Sequence, residues 1–249
     1  MANLHGHTAL VTGASRGLGA AIALELAAQG ASVAVNYTSR SDLAEQICRR
    51  IREGGGEASA FRADVRDQEQ IRRLVDEIAA LYGEVDIAVI NATGPQPLLS
   101  IEEQSWQAYL DQFEFFVKSP LLVLQQVVRS MIARGFGRVI QIGSEVVELG
   151  NPRFAAYVAA KAAQLGQTRS WARELGGTGI TVNLVAPGWI PAAGEVVDGN
   201  AEMEAYLAAV PSRRLGAPED VARVVAFLAG DGAAFITGQK ISVNGGNTL

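Results

Sequence analysis

The sequence predicts an α/β fold: one domain, residues 1–249, on a doubly wound parallel sheet of seven strands with helices on both faces. Three observations carry that expectation. Apolar runs of strand length alternate with stretches of helical period, the pattern of repeated βαβ units. A glycine-rich turn joins the first strand to the first helix. No linker divides the chain, and 49% of its residues are apolar against 19% charged, enough for one large core.

The elements follow in order. Residues 8–12 (TALVT) read as a buried strand and 17–29 as a helix. Residues 32–37 (SVAVNY) and 57–62 are the second and third strands, each followed by a helix, at 42–52 and 68–82. The fourth strand is 85–91, and 106–134 reads as a single long helical stretch. Residues 138–143 are the fifth strand, 152–176 a long helix and 181–185 the sixth strand. A helix at 219–229 and a last strand at 240–243 complete the chain. Residues 190–210 form the one long connection without a strand pattern. A long segment leaving a strand's carboxyl end in such a sheet is a candidate substrate lid, set against the plainer reading of a surface helix and turn.

Composition excludes several classes of function. Lys+Arg 21 against Asp+Glu 26 gives a net charge of −5 with no basic stripe, so no nucleic-acid partner is expected. The single cysteine, Cys48, excludes a disulfide framework and a cysteine metal cluster. The only histidines, His5 and His7, precede the first strand, which argues against a Ser-His-Asp hydrolase and a histidine-ligated metal. No signal peptide and no run of about 18 uncharged apolar residues is visible, so the expected place is the cytoplasm, without a membrane.

The turn Thr12-Gly13-Ala14-Ser15-Arg16-Gly17-Leu18-Gly19 has the strand before it and the helix after it that a dinucleotide site needs. Gly13 can take a turn conformation closed to other residues, and Gly17 and Gly19 let a pyrophosphate approach the backbone. The second strand ends Asn36-Tyr37-Thr38-Ser39-Arg40, without the acid that would accept from a ribose 2′-hydroxyl. Arg16 and Arg40 with the Thr38 and Ser39 hydroxyls suit a 2′-phosphate, which points to NADP(H). The plainer reading of Arg40 is a residue capping the next helix. Asp64 and Val65 after the third strand can reach an adenine edge, and Asn91, Ala92 and Thr93 after the fourth can border a ribose.

Tyr157 and Lys161 stand four apart in a helical stretch, on one face. An ammonium beside a phenol lowers its pKa and makes tyrosine usable as a general acid near neutrality. Ser144, after the fifth strand, can share the charge that develops on a carbonyl oxygen.

On these residues the chain resembles a short-chain dehydrogenase/reductase of the 3-oxoacyl-carrier-protein reductase type. TGASRGLG, Ser144 with Tyr157 and Lys161, Pro187-Gly188-Trp189-Ile190, and Thr237-Gly238 with Val243-Asn244-Gly245-Gly246 match in order and spacing. The resemblance covers nearly the whole chain. It implies a Rossmann domain, a homotetramer or homodimer, and hydride transfer from the nicotinamide of NADP(H) with Tyr157 donating the proton. Lys161 would bind the nicotinamide ribose, Ser144 would hold the carbonyl, and Pro187, Gly188 and Ile190 would contact the nicotinamide end.

Three departures stand out. The family pattern has an asparagine in the helix after the fourth strand, supporting a water chain to the lysine. Between Ala92 and Gly150 there is none, and alignment places Phe116 there, or Phe113 when counted from Trp106, with about three extra residues in the helix. Thr93 replaces a glycine and would narrow the space near the cofactor. Pro191 and Ala192 stand where a threonine would bond the nicotinamide amide. The aromatic cluster Trp106, Tyr109, Phe113, Phe115 and Phe116 reads as core or subunit interface, with a share in an apolar substrate pocket open to Phe113 or Phe116.

The substrate expected is a carbonyl compound, small or thioester-linked: a 3-oxoacyl thioester or similar β-keto compound, with acyl carrier protein as the partner of a carrier-bound form. Arg129, Arg134, Arg169 and Arg173 can supply the basic patch that an acidic carrier needs. Two alternatives stay open: a reductase of a small secondary-metabolite ketone, and a catalytically impaired NADPH-binding scaffold or sensor, motivated by the missing asparagine.

Overall fold

The computed structural model describes residues 3–191 and 201–248. Seven strands form one parallel sheet in the order β3-β2-β1-β4-β5-β6-β7. They are β1 Thr8–Val11, β2 Ser32–Tyr37, β3 Glu57–Arg62, β4 Ile87–Ile90, β5 Gly137–Ile142, β6 Ile180–Pro187 and β7 Lys240–Val243. The helices are α1 Gly17–Ala28, α2 Ser41–Glu53, α3 Gln68–Tyr82, α4 Trp106–Phe113, α5 Ser119–Arg134, α6 Val146–Leu149, α7 Ala155–Glu174, α8 Ala201–Ala209 and α9 Pro218–Ala229.

Central strands are buried on both faces, as a parallel sheet between helices requires, so they read as unbroken apolar runs. One core lies under α1, α2 and α9, with Ile22, Leu26, Ile47 and Val225 on the sheet. The other lies under α3, α5 and α7, with Ile71, Leu74, Val127 and Met131. Helix ends follow local chemistry. Asp67 caps α3 by accepting from the Gln70 amide at 3.0 Å. Gly135 ends α5 at φ 64°, the left-handed conformation that favours glycine.

The long stretch after β4 departs from expectation. It is not one regular helix: α4 and α5 are joined by a π-turn at Glu114–Lys118, a feature that widens a helix where extra residues are accommodated. By length and composition alone Trp106–Arg134 would pass for a membrane span. Here Phe116, Val123, Val127 and Met131 are buried inside the protein, which makes it a core helix. β6 runs further than its pattern suggested, through Pro187, and α6 was not anticipated. Of the candidate lid, residues 192–200 lie outside the described residues, and 201–209 form α8.

β1 pairs with β2 on one side and β4 on the other. The chain thus reverses direction across the sheet at β1/β4, and the crevice beyond their carboxyl ends is where this architecture binds ligands. The opposite edge is fastened by buried Asp86. Its carboxylate accepts from the Thr8 amide at 2.9 Å and from Arg134 Nη1 at 2.5 Å. Arg134 also donates to the carbonyls of Glu84 and Val85. Asp86→Ala leaves these donors unpaired, and we expect a loss of about 2–4 kcal/mol. A denaturant titration reads it; a midpoint within error of wild type would contradict the role.

Candidate active site

The glycine turn is shaped by what surrounds it. Gly13 has φ 63°, and a Cβ there would stand 2.9 Å from Ala92 Cα. At Gly19 a Cβ would meet Asn91 Nδ2 and the Gly13 carbonyl, each at 2.5 Å. Gly17 (φ 56°) faces open space. The turn is held from both neighbouring strands. Asn36 Oδ1 accepts from the Gly13 amide, and the Asn36 carbonyl accepts from Ala14. Thr12 Oγ1 accepts from the Asn91 and Ala92 amides at 2.8 and 3.0 Å, while Asn91 Nδ2 donates to the Thr12 and Gly13 carbonyls. Asn91 is thus spent on the turn. α1 begins with no side-chain cap and no acid in its first turn. Free N–H groups and the positive end of a helix behind an open glycine form an anion cradle, which fits a dinucleotide pyrophosphate.

Around the end of β2 the picture is more constrained than the sequence suggested. Arg16, Thr38, Ser39 and Arg40 are exposed and Tyr37 half-buried. Arg40 precedes α2 and forms a bidentate pair with Asp42, at 3.0 and 2.9 Å. Arg62, which the sequence reading passed over, donates to the Thr38 carbonyl and brings a third guanidinium to this edge. Asp64 also has a partner. Its carboxylate is clamped by Arg66 at 3.0 and 2.7 Å, which holds its pKa below the usual carboxylate range. Val65 is buried beside it. Thr93 is exposed and bonded to Gln96.

The catalytic candidates meet at the carboxyl end of β5. Lys161 is buried, and its Nζ donates to the Ile142 carbonyl at 2.6 Å and to Gln164 Oε1 at 3.3 Å. The Phe116 ring lies 3.8 Å from Nζ and edge-on to Tyr157 at 5.4 Å. Of the two phenylalanines that the sequence offers, Phe116 is the one that the π-turn directs onto the lysine. Burial lowers the Lys161 pKa to about 7. Tyr157, packed also against Phe154 at 5.8 Å, departs from expectation. Its pKa is raised, because burial outweighs the opposing pull of the Ser144 hydroxyl. The lysine does not lower it here: Nζ is 5.7 Å from the tyrosine ring and turned to Ile142.

At the end of β6 the Pro187 carbonyl accepts from Glu145 N at 3.1 Å, one residue after Ser144, while Ile190 packs on the core under α1 and α9. A Cβ on Gly188 would collide with Tyr206 Oη at 2.6 Å, and that hydroxyl accepts from the Trp189 amide at 2.8 Å. Tyr206 in turn donates to buried Glu145, whose other oxygen accepts from Asn247. Sequence reading missed this Glu145–Tyr206–Asn247 set because its members are far apart in the chain. Gln164 was findable, three residues from Lys161 on one helix face. A narrow cleft beside Tyr157 is lined by Pro97, Leu99, Gln104, Gln112 and Arg153. A larger cavity of about 640 Å³, between α1 and α9, is remote from these groups.

The expected basic patch changes. Arg134 is committed to Asp86, and Arg169 and Arg173 lie about 18–24 Å along α7 from Tyr157 at 1.5 Å per residue. Within one chain, none of these three stands at the cleft.

If Phe116 is a packing residue in this cluster, Phe116→Asn buries an amide and loses a ring. We expect a cost of about 2–4 kcal/mol, a fall in melting temperature of roughly 4–16 °C for a domain of this size. Calorimetry reads it; a variant of unchanged stability would show that the site tolerates an amide there.

Comparison with known proteins gives a consistent picture. A family model described as enoyl-(acyl carrier protein) reductase matches residues 13–248. The chain is 41% identical over 246 residues, 98% of each chain, to the 3-oxoacyl-(acyl-carrier-protein) reductase FabG of Escherichia coli strain K12. It is similar in structure to a short-chain dehydrogenase/reductase from Serratia marcescens, with TM-score 0.92 and 34% identity over 99% of this chain and 100% of that one. A blue fluorescent protein from a metagenomic library, solved in complex with NADPH, matches with TM-score 0.91 and 37% identity over 99% and 100% of the two chains.

Proposed function

The chain belongs to the short-chain dehydrogenase/reductase family of oxidoreductases, and from that premise we propose that it reduces the ketone of a 3-oxoacyl thioester, or a similar β-keto compound, with NADPH. The observation that carries the reading is the convergence of Ser144, Tyr157 and buried Lys161 at the carboxyl end of β5, two strands from an uncapped glycine turn. The substrate class follows the E. coli relative, and NADPH follows the absence of an acid after β2 together with the NADPH-bound neighbour.

When bound, the nicotinamide supplies a hydride to the carbonyl carbon. Ser144 and Tyr157 hydroxyls donate hydrogen bonds to the carbonyl oxygen, strongest as charge develops there. The Tyr157 O–H bond breaks and its proton passes to that oxygen, giving a secondary alcohol and a tyrosinate. Burial holds Tyr157 protonated at neutral pH, the state a proton donor must start from. To stabilise the tyrosinate and hold the nicotinamide ribose, Lys161 Nζ would turn from the Ile142 carbonyl that it meets at 2.6 Å in this structure. The α1 N-terminus would hold the pyrophosphate, and Arg16, Arg40 and Arg62 would supply positive charge to a 2′-phosphate, Arg40 by leaving or sharing Asp42. The intact Ser-Tyr-Lys set favours catalysis over the scaffold reading. A homotetramer or homodimer is part of the proposal, and the exposed side chains of Trp106, Phe227 and Phe235 support it.

Two measurements test this reading. Arg40→Ala is expected to weaken NADPH binding by about 1.5 kcal/mol or more, roughly tenfold, with NADH binding unchanged. Titration of both cofactors shows it, and equal wild-type affinities for NADPH and NADH would overturn the cofactor assignment. Tyr157→Phe should lower turnover of a 3-oxobutanoyl thioester by about 10²-fold or more, with cofactor affinity nearly unchanged. Near-normal turnover would place the proton donor elsewhere.

A further inference from the structure

We propose that Gln164 is the positioning residue of Lys161, its side-chain oxygen aiming the ammonium and stabilising its charged form in a site whose other wall is the face of Phe116. This deepens the proposed function and rests on its assignment of Lys161.

An ammonium has three N–H donors and no acceptor. In this buried setting one is directed to the Ile142 carbonyl at 2.6 Å and one to Gln164 Oε1 at 3.3 Å. The remaining side faces the Phe116 ring at 3.8 Å, within the range of a cation–π contact. The groups facing Nζ are therefore Tyr157 and Gln164 from α7, the Ile142 carbonyl from β5, and Phe116 from the π-turn. Among the described residues no carboxylate ion-pairs with it, and the shift of its pKa to about 7 comes from burial alone. Gln164 is thus, among the described residues, the one side-chain acceptor that offsets the loss of water around the charge. Its place is also fixed from behind. Gln164 is 1% exposed, its carbonyl accepts from Thr168 Oγ1 at 3.0 Å, and Thr168 Oγ1 accepts from Gln141 Nε2 at 2.9 Å. A glutamine in so buried a layer needs a donor for its oxygen, and Lys161 is that donor.

The consequence is a direction. A hydrogen bond to the charged form favours that form, so removing the acceptor makes Lys161 give up its proton at lower pH, and a carboxylate in its place makes it hold the proton longer. The chain has only three lysines, Lys118, Lys161 and Lys240. Lysine labelled with ¹³C at Cε therefore gives three signals, and Lys161→Met identifies the one that matters. We expect the wild-type midpoint to lie well below those of the other two lysines. Gln164→Leu should move it down by about one pH unit or more, and Gln164→Glu should move it up, with signals of the other lysines fixed. The upward shift in Gln164→Glu reads that position 164 faces Nζ, and the downward shift in Gln164→Leu reads the hydrogen bond itself. The alkaline limb of turnover for a 3-oxobutanoyl thioester with NADPH should follow the same directions. Equal midpoints in both variants, or shifts of the same sign, would overturn the proposal. Where Gln164→Leu does not fold, absence of an upward shift in Gln164→Glu overturns it alone. The titration needs no turnover, so opposite shifts without thioester reduction would keep Gln164 in its role and sink the substrate reading instead.

Discussion

The site depends on the hydrogen bonds that close the gap between β1 and β4. A parallel sheet places every strand's carboxyl end at one edge, but it does not fix the loops that leave it. Here Thr12 Oγ1 gathers the Asn91 and Ala92 amides, and Asn91 returns two bonds to the Thr12 and Gly13 carbonyls. The glycine turn is thereby pulled against the end of β4, so tightly that a single methyl at Gly13 or Gly19 has no room. Asn36 braces the turn from β2. The first helix is left free to present its uncapped N–H groups outward. The polar side chains at this edge are mostly spent on holding the cradle, and backbone is what remains to meet a ligand.

A second constraint is the burial of an ammonium that has no counter-ion among the described residues. Charge in a dry interior is costly unless hydrogen-bonded, and Lys161 has one carbonyl, one amide oxygen and one aromatic face. The π-turn at Glu114–Lys118 serves this arrangement. It brings Phe116 over Nζ, and its Val117 carbonyl accepts from Gln167 Nε2 at 2.9 Å on α7. Phe116 and the glutamines of α7 belong to one arrangement: the ring forms an apolar wall over Nζ, Gln164 accepts from the lysine, and Gln167 ties the π-turn to α7.

Most of the fold was legible because strands of a parallel sheet are short apolar runs bounded by turns. β2, β3 and β7 match their predicted bounds residue for residue, as does α3 with its Asp67 cap. The π-turn was not legible, since a helix with one widened turn keeps nearly the same periodicity, and only the mismatch in length hinted at it. Ser144, Tyr157 and Lys161 were legible from spacing, but the direction of the Tyr157 shift was not. Spacing puts an ammonium near a phenol; it does not tell that the ammonium turns to Ile142 while the phenol is walled in by Phe116 and Phe154. Arg40 and Asp64 show the same limit. Both are where the pattern puts them, and both are already paired, with Asp42 and Arg66.

These pairings bear on how the site would choose its cofactor and direction. An exposed Arg40–Asp42 pair contributes little to stability in water, so a phosphate dianion that competes with Asp42 displaces a weak partner. Arg62 and Arg16 add positive charge at the same edge, and residues 36–40 at the end of β2 hold no acid to reward a free 2′-hydroxyl. Half-buried Tyr157 and buried Lys161 both shift toward their neutral forms. Burial holds Tyr157 as a neutral phenol and draws Lys161 toward neutrality. Under the proposed reaction a neutral phenol is the reactant in carbonyl reduction, whereas alcohol oxidation must begin from the tyrosinate that this environment disfavours. Reduction is then the direction for which the resting tyrosine is already protonated. The negative charge it creates on Tyr157 would in turn favour the charged form of Lys161, whose Nζ Gln164 and Ile142 already face.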